Sequence, residues 1–380
     1  MRPQLVFWRN VPHDVDLGYV SYVAEHWGAD ITVVCEHESD DRIESLNFGD
    51  IDSSAVTTVV LKNQKNRKEK IREIIDNSKD AIHIFSGMRG VSKEFLDTYL
   101  ELESKPKVVI YAEIPSVRGN LFERALRRYV LERIYKKLHN KYNDTIGCFI
   151  TLGEKGKRVY EAFGFDKDVI YPFMYCPRMP VVTNTHQTDD ELKFLYVGRL
   201  DDRNKGLDIL MKAIDKLSSS PIQNWSLDIV GGYGEIRHKV FDWAKRHRKV
   251  NCIGTVAFSQ ICEDMGKYDV CIVPSHYDGW NMTPNMAINA GCATIITNKA
   301  TSDELIRGSN SGVVIEDDAQ QLFLAMKTMC EDTSTVAKFK ENTKSFTDKI
   351  SGDIVGQYFI DILDYTFNLK DTDKPECPWL

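Results

Sequence analysis

The chain has 380 residues, too many for one ordinary domain and enough for two with separate cores. Hydrophobic residues make up 42% and charged residues 28%, which excludes an extended disordered chain. The net charge of −7 argues against a dedicated nucleic-acid binder. Residues 1–180 hold 27 basic and 27 acidic side chains, so the whole deficit falls in the remainder.

Nine cysteines, an odd number with no C-x-x-C pair, fit a reducing compartment better than a disulfide framework or a zinc site. Cys148, Cys252, Cys271 and Cys292 sit in apolar runs and read as small core residues. The start, MRPQLVFWRNVPHD, has too short an apolar run for a signal peptide, and no window approaches the ~20 apolar residues of a membrane span. The expected location is cytoplasmic, with the inner membrane face as a place of peripheral contact.

In chain order, QLVFW (4–8), ITVVCE (31–36), TTVVLK (57–62), AIHIFS (81–86), KVVIYAE (107–113) and TIGCFITLG (145–153) read as strands. Helices are expected at 18–27, 66–78, 91–103, 118–142 and 155–163. Alternation of strands and helices with β-branched runs predicts a parallel sheet covered on both faces. The stretch PRMPVVTNTHQTDDE (177–191) is polar, carries two prolines and lacks helical period, as a linker does. The pattern then restarts, with strands expected at 192–198, 226–232, 250–256, 268–275, 293–298 and 312–317. The helices between them fall at 205–217, 234–247, 258–266, 283–291, 301–307 and 318–330. A last amphipathic stretch, 353–367, places Ile354, Tyr358, Phe359, Ile362 and Leu363 near one face. The expected fold class is α/β: an N-terminal Rossmann-like domain over 1–178, a linker over 179–191, a C-terminal doubly wound domain over 192–345, and a helix and tail over 346–380 crossing back to the first domain. Two such domains face each other across a cleft, and ligands bind where loops leave the carboxyl ends of strands.

Three motifs in the second half carry chemistry. VGRLDDRNKG (197–206) gives Arg199 and Lys205 at a strand's carboxyl end, where a guanidinium fork and an ammonium suit a diphosphate. IVGGYGE (229–235) is a glycine turn between strand and helix that permits close backbone approach. PSHYDGWNMTPNMAINAG (274–291) ends a strand, offers Asp278 in a loop, and opens a helix with Thr283 as N-cap and Pro284 at the first position. Each alone has an ordinary reading: surface cations, a tight turn, a capped helix.

In this order and spacing the motifs resemble the nucleotide-sugar domain of retaining GT-B glycosyltransferases of the GT4 (glycosyl transferases group 1) type, over roughly 192–320. ITLGEKGKRVYEAFGFDKDVIYPFMY (150–175) is similar to GT4 enzymes of bacterial surface-polysaccharide assembly. The resemblance implies that Gly198, Arg199 and Lys205 hold the donor diphosphate, with amides near Met282 and Thr283 on its distal phosphate. It implies that Gly231, Tyr233 and the backbone from Gly254 to Val256 frame the base. Asp278, followed by Gly279, Trp280 and Asn281, matches the first acid of the family's E-x7-E motif and so contacts the transferred sugar. The second acid, which holds the ribose, falls on Met286, and Asn281 replaces a glycine. Met cannot accept two hydroxyl hydrogen bonds, so weaker or differently anchored nucleotide binding is expected, with Asn285 or Asn289 as substitute contacts. The implied activity is transfer of a sugar, UDP-sugar favoured, to a glycan or lipid-linked acceptor with retained configuration, without a metal or other cofactor. The alternative is a degenerate GT-B protein that partners an active enzyme.

The first half offers fewer signals. Asn10 and His13 in the first loop and Glu113 after the fifth strand are candidates for the acceptor side, each also readable as structural. Residues 118–142 carry eight Lys/Arg against two Glu, with Phe122, Leu126, Val130, Ile134 and Leu138 at every fourth position. That pattern suits an anionic membrane surface, and equally a helix packed on a sheet with a solvated basic face.

Overall fold

The computed structural model describes residues 2–11, 17–38, 56–62, 64–117, 121–180, 182 and 191–380. His13, most of the expected linker and residues 118–120 of the basic segment lie outside the described residues. The chain forms two units. One holds the described residues up to Arg178 together with Ser351–Pro378, and the other holds Met179–Ile350 with Trp379–Leu380.

The first unit is built on seven parallel strands: β1 (Leu5–Arg9), β2 (Ile31–Cys35), β3 (Thr57–Val60), β4 (Ile82–Phe85), β5 (Val108–Ala112), β6 (Ile146–Leu152) and β7 (Ile170–Phe173). Their order is β3-β2-β1-β4-β5-β6-β7. β1 is buried at every position and pairs with a strand on each side, Leu5 standing opposite Ile31 and Ile82. A run buried on both faces needs continuous apolar residues, and LVFW supplies them. One core cluster joins Trp8, Phe85, Phe95, Tyr99 and Phe149. Within it His83 accepts from Trp8 Nε1 at Nδ1 (2.9 Å) and faces the Ser78 carbonyl at Nε2 (3.0 Å). Burial pushes its pKa down to about 4, so it is a neutral structural group.

The strand β7 was not expected from the sequence. IYPF contains Pro172, which removes a ladder donor and reads against a strand. The position explains the tolerance, since β7 is the sheet edge. The helix Gly352–Thr366 packs on the helix Leu17–His26 in the same unit, with Phe359 stacked on Phe7 at 6.1 Å and close to Tyr19 at 5.4 Å. Its buried face is Val355, Tyr358, Phe359, Ile362 and Leu363, whereas Ile354, expected there, is 40% exposed.

The basic helix spans Leu121–Tyr142. Its apolar positions do not form one continuous stripe. Leu131, Tyr135, Leu138 and Tyr142 are buried against the core, while residues 122–130 are all exposed, Phe122, Leu126, Tyr129 and Val130 among them. Asp97 accepts from Lys141 (2.7 Å) and Tyr142 (2.5 Å) and so fastens the carboxyl half.

The second unit has six parallel strands: β8 (Leu192–Val197), β9 (Trp225–Val230), β10 (Val250–Gly254), β11 (Val270–Val273), β12 (Ala293–Thr297) and β13 (Gly312–Ile315), in the order β10-β9-β8-β11-β12-β13. All six match expected strands. The helix Leu207–Ser218 lays Leu207, Leu210, Ile214 and Leu217 on the sheet, at the spacing of one helical face. A helix over Thr333–Thr347 was not expected. Its sequence is polar and rich in threonine, and only Val336, Thr343 and Phe346 are buried. Among the described residues no helix is long and apolar enough to cross a membrane. Of the four cysteines expected in the core, Cys148, Cys271 and Cys292 are buried, while Cys252 is half-buried.

Candidate functional site

β8 is the first strand of its sheet in chain order but lies in the middle. The chain moves outward to β9 and β10, then returns to the other side at β11. Loops leaving β8 and β11 therefore part in opposite directions, and open α/β sheets bind ligands in the crevice so formed. Arg199 and Lys205 leave β8, and Asp278 leaves β11.

Gly206 holds these two loops together. Its φ of +65° lies in the left-handed region, and a Cβ there would stand 1.8 Å from the Pro274 carbonyl oxygen. Only glycine permits that contact. Beside it the Asn204 carbonyl accepts from the amides of His276 (2.8 Å) and Tyr277 (3.3 Å). The result is a direct ion pair, Lys205 Nζ to Asp278 Oδ2 at 2.6 Å, with both side chains largely covered. Asp278 is fixed further by Asn281 Nδ2 (3.0 Å) on the same oxygen, while its amide donates to the Lys299 carbonyl (3.1 Å).

Arg199 is more open. Its side chain is 36% exposed, and the nearest ionic partner, Asp201, stands at 4.0 Å. Its carbonyl accepts from the Tyr196 hydroxyl (2.7 Å), which burial keeps protonated by pushing its pKa up. Asp201 caps the short helix Asp202–Lys205 by accepting from the Asn204 amide (3.1 Å) and side chain (3.0 Å). Burial disfavours its charge, but these hydrogen bonds hold its carboxyl below the usual range. Asp202 instead pairs with Lys239.

The expected base-framing residues also gather here. The Gly198 amide donates to the Val230 carbonyl (3.0 Å), the Gly231 amide to the Gly254 carbonyl (2.9 Å), and the Leu200 amide to the Tyr233 carbonyl (2.8 Å). A Cβ on Gly231 would lie 2.2 Å from the Gly198 carbonyl oxygen, so the loops of β8 and β9 touch backbone to backbone. Tyr233 is 40% exposed, and Val256 is half-buried against the apolar cluster beneath. Gly279 and Trp280 are buried, with Trp280 Nε1 donating to Asn285 Oδ1 (3.1 Å).

The opening of the helix Thr283–Asn289 differs from expectation. Its cap position is Met282 rather than Thr283, and Thr283 is the first helical residue. The Thr283 amide already donates to Asn281 Oδ1 (2.9 Å), while its hydroxyl points toward the Val197 carbonyl (3.5 Å). Asn281, standing where a glycine was expected, thus fastens both Asp278 and the helix start. Met286 also differs. It is 4% exposed and packs with Leu195, Val230, Phe258, Met265 and Ala290, so its side chain faces apolar neighbours. Of the asparagines beside it, Asn285 accepts from Trp280 Nε1, and Asn289 donates to the Pro180 carbonyl (3.0 Å).

His276 was missed. Its Nε2 lies 2.7 Å from Asp208 and its Nδ1 3.2 Å from Asp317. Both ring nitrogens face carboxylates, which only the imidazolium can satisfy as a double donor. The hydrogen bond to Asp208 raises its pKa against half-burial, with Asp317 adding to the rise. The signal was a histidine in the P-S-x-x-D loop, but its partners are 68 and 41 residues away.

In the first unit, Asn10 is exposed after β1, its carbonyl accepting from the His37 amide (2.8 Å). Glu113 follows β5, its carboxylate accepting from the Tyr175 hydroxyl and its carbonyl from the Tyr160 hydroxyl (2.7 Å).

Residues 191–332 match the family described as glycosyl transferases group 1. No curated protein is significantly similar in sequence. Among solved structures the chain is similar to HepE of Anabaena in complex with UDP and glucose, at 12% identity and a TM-score of 0.71, covering 96% of this chain and 100% of that one. Sucrose-phosphate synthase of Thermosynechococcus elongatus shares 14% identity at a TM-score of 0.69, covering 97% and 100%. WaaG, a glycosyltransferase involved in lipopolysaccharide biosynthesis, shares 14% at 0.63, covering 94% and 99%. At such identities the likeness is one of fold, and the fold is GT-B.

Proposed function

Since residues 191–332 form a glycosyl transferases group 1 domain in a chain of GT-B fold, we propose that the protein transfers a sugar from a UDP-sugar to a glycan or lipid-linked acceptor of surface-polysaccharide assembly, with retained configuration. The observation that carries this reading is the Lys205–Asp278 pair across the β8/β11 crevice. It sets a cation for phosphate beside a carboxylate for sugar hydroxyls, as the junction of a nucleotide sugar requires.

In this reading the diphosphate enters between Arg199 and Lys205. Arg199 takes two oxygens with its fork, and Lys205 turns part of its hydrogen bonding from Asp278 to the anion. Both cations then meet the charge that develops as the sugar–phosphate bond breaks, in positions fixed before reaction. Asp278, held by Asn281, accepts from sugar hydroxyls. Tyr233 offers an exposed ring to the base beside Gly254 and Val256. The HepE structure with UDP-glucose, similar in fold, supports the choice of nucleotide. The exposed half of the basic helix, with Arg124, Arg127 and Arg128 among Phe122, Leu126 and Val130, is read as a contact for an anionic membrane surface.

One observation favours the second reading, a non-catalytic partner. Met286 is buried among apolar side chains, and Asn285 and Asn289 are engaged with Trp280 and the Pro180 carbonyl. Calorimetry decides between the two. The donor reading expects UDP to bind and Lys205→Ala to weaken it at least tenfold, while GDP and dTDP bind less well. Absence of binding by all three nucleotides would leave the partner reading.

A further inference from the structure

A cavity of about 520 Å³ opens at the carboxyl ends of β4 and β5 in the first unit. That lies within the roughly 300–1,000 Å³ of small-molecule sites. It is lined by the loop Ser86–Gly90 after β4, by Tyr111 to Pro115 at the end of β5, and by Tyr135, Tyr160 and Tyr175. Four tyrosines, one arginine and one glutamate make an unusual lining, and each component points to the same kind of ligand.

Tyr175 gives half-open aromatic surface at the edge of the cavity, with Tyr111, Tyr135 and Tyr160 buried behind it. Tyr111 and Tyr175 meet edge to face, with centroids 6.5 Å apart at 79°. A pyranose ring has apolar C–H faces and a rim of hydroxyls, so such a wall suits it. Glu113 is fastened twice, by the Tyr160 hydroxyl on its carbonyl and the Tyr175 hydroxyl on Oε1. Among the described residues nothing bonds to Oε2, which stays available to accept from a ligand hydroxyl.

Arg89 is the second charged group. It lies between Gly87 (φ +92°) and Gly90 (φ +58°), and neither glycine has an atom within 4 Å of where a Cβ would be. These glycines therefore serve the course of the loop, which places the exposed Arg89 on the lining of the cavity. Arg89 forms no hydrogen bond or ion pair with any described residue, although Glu113 lines the same cavity. A guanidinium with its fork uncommitted fits a carboxylate or a phosphate bidentately.

We propose that this cavity binds a saccharide bearing an anionic group, with Arg89 pairing the anion and Glu113 accepting a ring hydroxyl. That this saccharide is the acceptor rests on the glycosyltransferase reading, but its binding does not. The site thus narrows the acceptor class to sugars carrying a carboxylate or a phosphate ester.

The test is saturation-transfer NMR on the full chain with three probes: methyl β-D-glucuronide, glucose 6-phosphate and methyl β-D-glucoside. UDP is titrated into a separate sample. At least one anionic probe is expected to bind about tenfold more tightly than the glucoside, and which one does so identifies the anion. Arg89→Gln should remove that preference and Arg89→Lys should restore part of it. Glu113→Gln should weaken all three probes together. Equal binding of the three probes, binding of none of them, or a preference that survives Arg89→Gln overturns the proposal. Failure of UDP to bind while an anionic sugar still does so overturns the donor reading and leaves this one standing.

Discussion

Met286→Glu is the sharpest probe of the donor side. It restores the acid expected at that position, but into surroundings that do not suit it. The side chain is 4% exposed and packs against Leu195, Val230, Phe258 and Met265. Burying a carboxyl without a partner costs about 1–3 kcal/mol even in its neutral form. Ionisation adds to this. The folded carboxyl would hold its proton well above the unfolded value of about 4.3, as buried glutamates do. The folded state then binds more protons than the unfolded one, so the variant is least impaired below that value and loses stability as pH rises. The slope is about 1.4 kcal/mol per pH unit until the folded pKa is reached. Between pH 5 and 7 the difference from the parent protein should widen by about 3 kcal/mol. Urea unfolding at each pH, monitored for the second unit, measures it. UDP affinity should not improve at pH 7. A pH-independent difference together with tighter UDP binding would refute the reasoning, because Met286 would then face the ribose.

Other substitutions test the remaining contacts. Gly206→Ala should cost more than the ~1–2 kcal/mol of a left-handed alanine, since its Cβ meets the Pro274 carbonyl, and UDP binding should weaken with it. Gly28→Ala, also at positive φ but facing open space, should show the conformational cost alone in a thermal melt. His276→Gln should weaken UDP binding at pH 6.5. Because the folded imidazole titrates above its ordinary value, its hold on Asp208 and Asp317 is complete below about pH 6.5 and fades as pH passes through the raised value, so parent and variant should converge at high pH in a UDP titration. Both carboxylates have further cationic neighbours, Lys212 on Asp208 and Lys299 on Asp317. Co-sedimentation with anionic vesicles should fall by about 3 kcal/mol of binding energy in Arg124→Gln/Arg127→Gln/Arg128→Gln, at about 1 kcal/mol per charge. High salt should release the parent protein.

Strand and helix order was legible because β-branched runs and helical stripes are local signals. LVFW and VCIV read as buried strands whatever surrounds them. IYPF did not, since an edge position is a property of the sheet and not of the segment. The Arg199, Lys205 and Asp278 constellation was legible as order and spacing, while its central contact was not. That Lys205 meets Asp278 depends on a glycine where a Cβ would stand 1.8 Å from a backbone oxygen 68 residues on. Met286 showed the opposite limit. A residue at a motif position was read from its place in the motif, and its packing with Phe258 and Met265 was not visible there. The basic helix carried both readings in its sequence; its carboxyl half packs against the core, and residues 122–130 are exposed.

The first unit is completed by residues that come last in the chain. Phe7, Tyr19 and Phe173 form aromatic contacts with Tyr358 and Phe359, and Arg2 pairs with Asp364 at 2.5 Å. During synthesis on the ribosome, the sheet that emerges first must wait with this surface bare while the whole second unit is made. The second unit, built over Met179–Ile350 with Trp379 and Leu380 joining last, can close most of its core as it emerges. The order of synthesis is therefore the reverse of the order of completion, and the chain spends its vulnerable interval with an aromatic face of its earliest part uncovered.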